Sequence, residues 1–277
     1  MRNHLLELCS GAAAVSLATY GSTPPAAYRG GKRRYAYQIL EALGLPKYSG
    51  GLFFAPLKVT LNDPGLWGKA WQLVADGVAP AAAQASLAWT SDGEALFNHL
   101  IEQPVPEDGP EWLATFLALQ GACMLGKEVT VVDKHWRTSG YGILSVSARE
   151  RGFRERLLRL SVARRCSGIP QDFVEQMTAS REFAQDVHVD DVTHVLIDPP
   201  YQGVGGYSHS LSRQDVVRLA LDWYSKGASV GVCEHGPIEE LAQAGFTTIM
   251  LEAAHGAPRT ASRSTREMLM VKKQEDE

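Results

Sequence analysis

The sequence predicts an α/β fold, in which a central sheet is covered by helices. Short apolar runs typical of strands alternate along the chain with segments of helical periodicity. Several of these runs stop abruptly at turn-forming residues, which separates one element from the next. The chain has 277 residues, of which 45% are hydrophobic and 21% charged. This composition excludes collagen-like, coiled-coil and disordered classes, and the length suffices for one large or two modest domains.

The individual elements follow from local patterns. Six apolar runs favour strands, and they lie at residues 4–8, 57–61, 193–197, 228–233, 246–251 and 268–272. Helical periodicity follows the small-residue turn after the first run and returns at residues 33–45 and 214–224. The middle of the chain is mostly helical and loop-like, so we expect an inserted domain at residues 78–161. Residues 1–77 and 162–277 then form the two halves of one domain around a single sheet.

Residue usage disfavours several classes of protein. No apolar run is long enough to span a bilayer, and polar residues interrupt the amino-terminal apolar stretch, which disfavours a membrane span and a signal peptide. The wide spacing of the cysteines predicts a reduced cytoplasmic protein. We expect neither a disulfide framework nor a metal site, because the cysteines lie far apart and no histidine belongs to an HxH or HExxH pattern. The cysteines are Cys9, Cys123, Cys166 and Cys233. A net charge of −4 argues weakly against a nucleic-acid partner, yet arginines are concentrated at residues 29–34, 149–165 and 259–266.

The clearest chemical motif is Asp198-Pro199-Pro200-Tyr201, which ends an apolar strand. In α/β proteins, ligand sites form at the carboxyl ends of strands. The carboxylate of Asp198 and the carbonyl of Pro199 are two acceptors held by proline rings, which fix φ and lack a competing N–H. Such a pair can accept both hydrogens of an exocyclic amino group, and Tyr201 can stack on the ring that carries the amine. The alternative interpretation is a proline turn with an incidental aspartate.

This tetrapeptide resembles the catalytic motif of amino-group DNA methyltransferases, in which an acidic or polar residue precedes two prolines and an aromatic residue. The aspartate form is similar to adenine-N6 enzymes, whereas a serine is more typical of cytosine-N4 enzymes. More closely, the chain resembles the Dam-like (D12-class) adenine methyltransferases at residues 1–75 and 165–273. The resemblance implies a Rossmann-like S-adenosylmethionine-dependent methyltransferase sheet with an inserted, mainly helical target-recognition domain. It also implies that Asp198, Pro199, Pro200 and Tyr201 are the catalytic residues.

The turn after the first strand resembles the cofactor loop of the family, E-P-F-x-G-x-G. The residues that the resemblance assigns to S-adenosylmethionine in this turn are Glu7, Cys9, Ser10, Gly11 and Ala13. Small residues let a cofactor approach the backbone where a helix begins. Cys9 stands where the family has an aromatic residue, and Ala13 stands where it has the second glycine. A helix whose alanines serve packing alone is the alternative interpretation.

Residues 28–32 are similar to the W-A-G-G-K element of the family. Its paired glycines permit close backbone approach, and Lys32 is expected to meet the cofactor carboxylate or to order the site, with Tyr28 also at the cofactor. In the family this element precedes the cofactor loop, whereas here it follows the loop. An exposed basic loop is the alternative interpretation.

Two further acidic positions are assigned to the cofactor by the resemblance. Asp63 matches the acidic strand end that holds the ribose hydroxyls of the cofactor. The alternative interpretation is that Asp63 serves only to form the Asn-Asp-Pro-Gly turn. Asp172 and Phe173 resemble the D-F segment, in which the acid bonds the adenine amine of the cofactor and the aromatic residue packs beside it. A helix N-cap followed by a core phenylalanine explains this pair equally well.

The resemblance places DNA recognition in the inserted domain. Residues 134–141, with Trp136 among them, mix cations with aromatic side chains suited to phosphates and bases. An arginine-rich helix at 149–165 is expected to neutralise phosphates, the alternative being a solvated helix with partial Arg–Glu pairing. The residues expected to contact double-stranded DNA are Arg33, Arg34, Lys134, Arg137, Tyr141, Arg151, Arg154 and Arg263.

The leading hypothesis is methyl transfer from S-adenosylmethionine to N6 of a flipped adenine at a short specific sequence in DNA. Within the enzyme class, the alternatives are cytosine N4 and an adenine in RNA. From a different class, the alternative is a catalytically silent DNA-binding protein with a methyltransferase fold. The altered cofactor loop and the displaced glycine-lysine element motivate that last alternative, whereas the intact Asp198-Pro199-Pro200-Tyr201 motif argues against it.

Overall fold

The computed structural model describes residues 3–26, 28, 31–46, 57–89, 93–123, 127–138, 162–201, 209–252 and 267–274. The strands are β1 (His4–Leu8), β2 (Lys58–Asn62), β3 (Thr130–Val132), β4 (His135–Arg137), β5 (Met177–Ser180), β6 (His194–Ile197), β7 (Ser229–Glu234), β8 (Thr247–Leu251) and β9 (Glu267–Lys272). Seven of them form one sheet in the order β5-β2-β1-β6-β7-β9-β8, and β3 pairs with β4 in a separate hairpin.

Helices connect most of these strands. The α-helices are α1 (Ala14–Ala18), α2 (Ala36–Leu43), α3 (Leu66–Ala75), α4 (Ala79–Leu87), α5 (Gly93–Glu102), α6 (Gly109–Ala122), α7 (Gln171–Gln176), α8 (Arg213–Ser225) and α9 (Glu239–Gln243). Short 3-10 helices span Lys32–Arg34 and Ala184–Asp186. Ser212 caps α8 by accepting a hydrogen bond from the amide of Asp215. None of these helices has the length and apolar character needed to cross a membrane.

Because several strands run in the same direction, their carboxyl ends lie at one edge of the sheet. All neighbouring pairs are parallel except those of β9, which runs antiparallel to both β7 and β8. Leu8 therefore lies between Asn62 and Ile197, each the last residue of its strand. We call this side of the sheet the carboxyl edge. Because β9 is reversed, it begins at the carboxyl edge, where Met268 pairs with Glu234.

The hydrophobic core lies on both faces of the sheet, because strand side chains alternate between faces. Leu5 and Val59 point to one face, where they pack in a cluster with residues of α2 to α6. Leu6 and Val195 point to the other face and pack with residues of α8 and α9. A sheet that is buried on both faces and has helical crossovers is the expected form of a Rossmann-like architecture.

The predicted α/β class is confirmed, and each of the six predicted strands agrees with an observed strand to within one residue at either end. The sequence did not indicate β5, which has four residues and follows α7 without a turn. The middle of the chain packs closely on the sheet domain. Phe116 of α6 and Trp136 of β4 are fully buried in the same core cluster as Leu5 of β1.

Candidate active site

A cavity of about 220 Å³ opens at the carboxyl edge, beyond the ends of β1, β2 and β6. Side chains from distant parts of the sequence line it, as expected where parallel strands end together. Most of the predicted cofactor and catalytic residues are among them. The predicted residues that line the cavity are Glu7, Cys9, Ser10, Tyr28, Lys32, Asp63, Asp198, Pro199, Pro200 and Tyr201.

The loop between β1 and α1 has an unusual backbone. Cys9, Gly11 and Ala13 all have φ between 46° and 57°, a left-handed conformation that costs energy for residues with a Cβ. A Cβ on Gly11 would lie 2.4 Å from the ring of Tyr28, so only glycine lets that ring approach. Ser10 in this loop has a buried hydroxyl that has no hydrogen-bond partner among the described residues. The loop therefore presents an unused polar group to the cavity.

Asp63 ties the first two strands together at the carboxyl edge. Its Oδ2 accepts a hydrogen bond from the amide of Gly11 at 3.0 Å, and its Oδ1 accepts one from the amide of Gly65 at 2.8 Å. Trp71 of α3 donates from Nε1 to the carbonyl of Gly11 at 2.7 Å. Burial raises the pKa of Asp63, and the backbone amides that it accepts from oppose that rise.

Glu7 is a second buried acid in the wall of the cavity. Its Oε2 accepts hydrogen bonds from both the amide and the hydroxyl of Ser16, which lies in the first turn of α1. Burial raises the pKa of Glu7 to about 7, against the lowering effect of the Ser16 bonds. Glu7 therefore changes its charge near neutral pH.

Lys32 forms an ion pair with the predicted catalytic aspartate. Its Nζ lies 2.7 Å from Asp198 Oδ1, and the Lys32 side chain is 3% exposed. Lys32 is the one lysine or arginine among the described residues that is buried. Burial opposes its charge, but Asp198 foremost, with smaller contributions from Cys233 and Glu267, outweighs this effect and raises the pKa of Lys32. The structure thus places Lys32 beside the Asp198-Pro199-Pro200-Tyr201 motif as well as in the wall of the cavity.

Tyr201 is held by residues that the sequence analysis did not select. Its hydroxyl donates to Glu267, and its ring centroid lies 4.0 Å from that of His235. The Lys32 ammonium lies 4.8 Å from the centre of the same ring. Tyr201 is 6% exposed, so little of its side chain is accessible to solvent although it lines the cavity. An acid at the start of the last strand was the available sequence signal for Glu267.

Asp172 and Phe173 do not line the cavity. Phe173 is fully buried and packs edge-on against Tyr20 and Trp71. Asp172 is exposed. The pKa of Tyr20 is raised to about 12, mainly because Tyr20 is buried and also because the negative charge of Asp172 lies nearby. The Tyr20 hydroxyl donates to the carbonyl of Leu57, which lies immediately before β2 begins. Asp172 and Phe173, next to Tyr20, therefore lie toward the edge of the sheet opposite the carboxyl edge.

A second acid–aromatic pair, Glu182-Phe183, follows β5 at the carboxyl edge. Phe183 is 53% exposed and lines the cavity, where its ring contacts that of His209 at a centroid distance of 5.8 Å. The sequence signal for this pair was an acid and an aromatic residue directly after a strand. It was missed because β5 itself was not predicted.

The predicted DNA contacts are distributed over several surfaces. Arg33 and Arg34 are exposed directly after Lys32, and Lys134 and Arg137 are exposed on the β3–β4 hairpin. Trp136 is fully buried against Trp112 and Phe116, so the interpretation that it contacts bases is wrong. Four further predicted DNA contacts lie outside the described residues: Tyr141, Arg151, Arg154 and Arg263.

The cavity has a marked excess of acidic side chains. Its lining acids are Glu7, Asp63, Glu128, Asp198 and Asp215. Lys32 is the one lysine or arginine that lines it within the described chain. Among all the residues that the structure describes, no group of His, Cys, Asp and Glu side chains is arranged to hold a metal ion.

Comparison of the sequence with protein-family models and with curated proteins finds no match to either.

Proposed function

We propose that this protein transfers a methyl group from S-adenosylmethionine to N6 of adenine in DNA. The observation that carries the proposal is the cavity shared by two motifs. The Asp198-Pro199-Pro200-Tyr201 motif ends β6, and the Glu7–Ala13 loop follows β1. These strands are hydrogen-bonded neighbours, so an acceptor base and a cofactor bound at the two motifs lie next to each other.

The sheet order supports this class of enzyme. Taken in chain order, the seven strands of the sheet run 3-2-1-4-5-7-6, and the last strand is reversed. The dinucleotide-binding Rossmann order, 3-2-1-4-5-6, has no reversed strand between its fifth and sixth strands. The order found here keeps the 3-2-1-4-5 arrangement of that sheet and is compatible with the Rossmann-like sheet that the resemblance implies.

The charge of the cavity supports the choice of cofactor. Five acids and one lysine line it, which favours a ligand that carries positive charge, such as a sulfonium with an amino group. A dinucleotide pyrophosphate is disfavoured by the same charges. Two groups can bind the polar atoms of S-adenosylmethionine: the Ser10 hydroxyl, which has no hydrogen-bond partner among the described residues, and the second lone pair of each Asp63 oxygen, beside the backbone amides that these oxygens already accept from. Phe183 is available to the adenine ring of the cofactor.

In the proposed reaction, S-adenosylmethionine supplies an electrophilic methyl group when bound. The carboxylate of Asp198 and the carbonyl of Pro199 accept the two hydrogens of the adenine amine, which turns its lone pair toward that methyl group. The same acceptors stabilise positive charge as it develops on the nitrogen. A strong general base is not required, because a methylated, cationic amine loses its proton readily.

DNA as the partner is supported by the distribution of charge around the site. Arg33 and Arg34 are exposed on the 3-10 helix that begins with the buried Lys32. Cations on the surface attract phosphates, while the acidic cavity repels them and accepts a neutral base. The duplex backbone is therefore expected to stay outside the cavity, with one base flipped into it.

The test is mass spectrometry of nucleosides from DNA and from RNA incubated with the protein and labelled S-adenosylmethionine. Label on N6-methyladenine from DNA is the expected result. Label on N4-methylcytosine, or on RNA adenine alone, would contradict the proposed acceptor. Calorimetry that detects no S-adenosylmethionine binding at high micromolar concentration would favour a silent DNA-binding protein.

The Asp198→Ala variant tests the acceptor motif within the same assay. We expect it to abolish methylation while cofactor affinity stays within several-fold, since Asp198 acts on the acceptor amine. Asp222→Ala, an exposed change on α8, is the matched control and should retain wild-type activity. Normal activity of Asp198→Ala would contradict the assignment of the motif.

A further inference from the structure

Glu267 reaches the candidate site because of strand direction. It is the first residue of β9, and the reversal of β9 places that first residue at the carboxyl edge. Its Oε2 accepts the hydrogen bond from the Tyr201 hydroxyl and lies 3.7 Å from Lys32 Nζ. Its Oε1 lies 3.7 Å from His235 Nε2. Glu267 thus contacts both the aromatic ring and the cation of the site.

The charges around Lys32 suggest what Glu267 contributes. The Lys32 ammonium and the Asp198 carboxylate, 2.7 Å apart, together carry no net charge. An ion pair that is neutral overall stabilises a developing cation poorly. The carboxylate of Glu267 gives the three-residue group one net negative charge, in a site where burial weakens screening.

We propose that Glu267 is a positioning residue for methyl transfer, sharing the Lys32 ammonium with Asp198 and anchoring the Tyr201 ring. Asp198 then keeps negative charge for the acceptor amine as that amine becomes cationic. This inference rests on the proposed function, and it concerns the chemical step more than the binding of either substrate. A purely structural anchor would need only the hydrogen bond to Tyr201.

The Glu267→Gln variant separates these two roles. Glutamine keeps an oxygen that accepts the Tyr201 hydrogen bond but removes the negative charge. We expect kcat to fall about tenfold to a hundredfold, while KM for DNA and the dissociation constant for S-adenosylmethionine change less than threefold. Glu240→Gln, the same change on the exposed surface of α9, is the matched control and should leave kcat unchanged.

A second experiment tests the shared ammonium without any activity measurement. In the Lys32→Met variant, Asp198 and Glu267 lose their cation and repel each other, so the Tm should fall by several degrees. Adding Glu267→Gln to Lys32→Met should raise the Tm again, whereas Glu267→Gln alone should not raise it. An equal Tm change from Glu267→Gln in both backgrounds would overturn the charge coupling.

The outcomes distinguish this inference from the proposed function. If the wild-type protein methylates DNA and Glu267→Gln has a normal kcat, the inference falls and the proposed function stands. A loss confined to KM would also overturn the inference, because it would place Glu267 in substrate binding. If the wild type methylates no nucleic acid, the proposed function falls, and the role of Glu267 in methyl transfer falls with it.

Discussion

Asp63 accepts a hydrogen bond from the amide of Gly11 at 3.0 Å, which joins the end of β2 to the loop that follows β1. Its other oxygen accepts from the amide of Gly65. Both carboxylate oxygens are therefore used by the backbone that shapes the cavity. This arrangement gives Asp63 a structural duty in addition to its proposed contact with the cofactor ribose.

The Asp63→Asn variant should lose stability together with cofactor affinity. An asparagine has one acceptor oxygen, so one of the two backbone amides faces an NH2 group and loses its bond. We expect the free energy of unfolding to fall by about 1–3 kcal/mol, measured by urea denaturation. Calorimetry should show cofactor affinity at least about tenfold weaker, because the cavity wall shifts.

Asp222→Asn is the control for this change, since Asp222 forms an exposed ion pair with Lys226. Its effect on unfolding should stay below about 1 kcal/mol. Equal losses from both variants would mean that the Asp63 hydrogen bonds do not hold the loop.

Gly68 should tolerate no side chain. A Cβ at this position of α3 would lie 1.8 Å from the carbonyl oxygen of Asp63, which is backbone and has little freedom to move. We expect Gly68→Ala to lower the free energy of unfolding by about 3 kcal/mol, despite the better helix propensity of alanine. Gly236→Ala, where nothing lies within 4 Å of the added atom, should be nearly neutral. A stable Gly68→Ala protein would show that α3 does not approach the Asp63 turn this closely.

Glu7 should make stability fall as pH rises toward neutrality. Its pKa of about 7 in the folded protein exceeds the ordinary value of 4.5. Between these values the unfolded chain loses a proton that the folded chain keeps, so the stabilisation present below pH 4.5 is lost as pH rises to 7. Glu7→Gln stays neutral and should therefore gain about 2–3 kcal/mol relative to wild type between pH 5 and pH 8.

Urea denaturation at the two pH values measures this difference. Glu240→Gln, at an exposed position, is the control and should show the wild-type dependence. A difference between Glu7→Gln and wild type that does not change with pH would mean that Glu7 titrates normally in the folded state.

Phe183 and Phe173 should respond to substitution in opposite ways. Phe183 is 53% exposed in the cavity wall, so Phe183→Ala should weaken S-adenosylmethionine binding about tenfold with little change in unfolding. Phe173 is fully buried, so Phe173→Ala should cost about 3–5 kcal/mol of stability. Phe173→Leu should keep the fold and bind the cofactor normally. A binding defect confined to Phe173→Leu would reverse the assignment of the two residues.

Local patterns predicted most of the sheet, because a buried parallel strand is recognisable from its own four to six residues. They also predicted that Asp198 and the Glu7–Ala13 loop would lie at strand ends, where sites form. The pattern failed for β5, which is short, partly exposed and directly continuous with α7. Because β5 was not predicted, no sequence pattern placed the acid–aromatic pair Glu182-Phe183 at the carboxyl edge.

Local sequence patterns were enough to predict the fold class, six strands of the main sheet and the position of Asp198-Pro199-Pro200-Tyr201 at a strand end, since each depends on neighbours within a few residues. The residues that these side chains contact became known from the three-dimensional arrangement. Lys32 pairs with Asp198 across 166 positions of sequence, and Glu267 reaches Tyr201 because β9 is reversed. The physical reason is that strand order and direction are set by burial of the whole sheet, which no local pattern records.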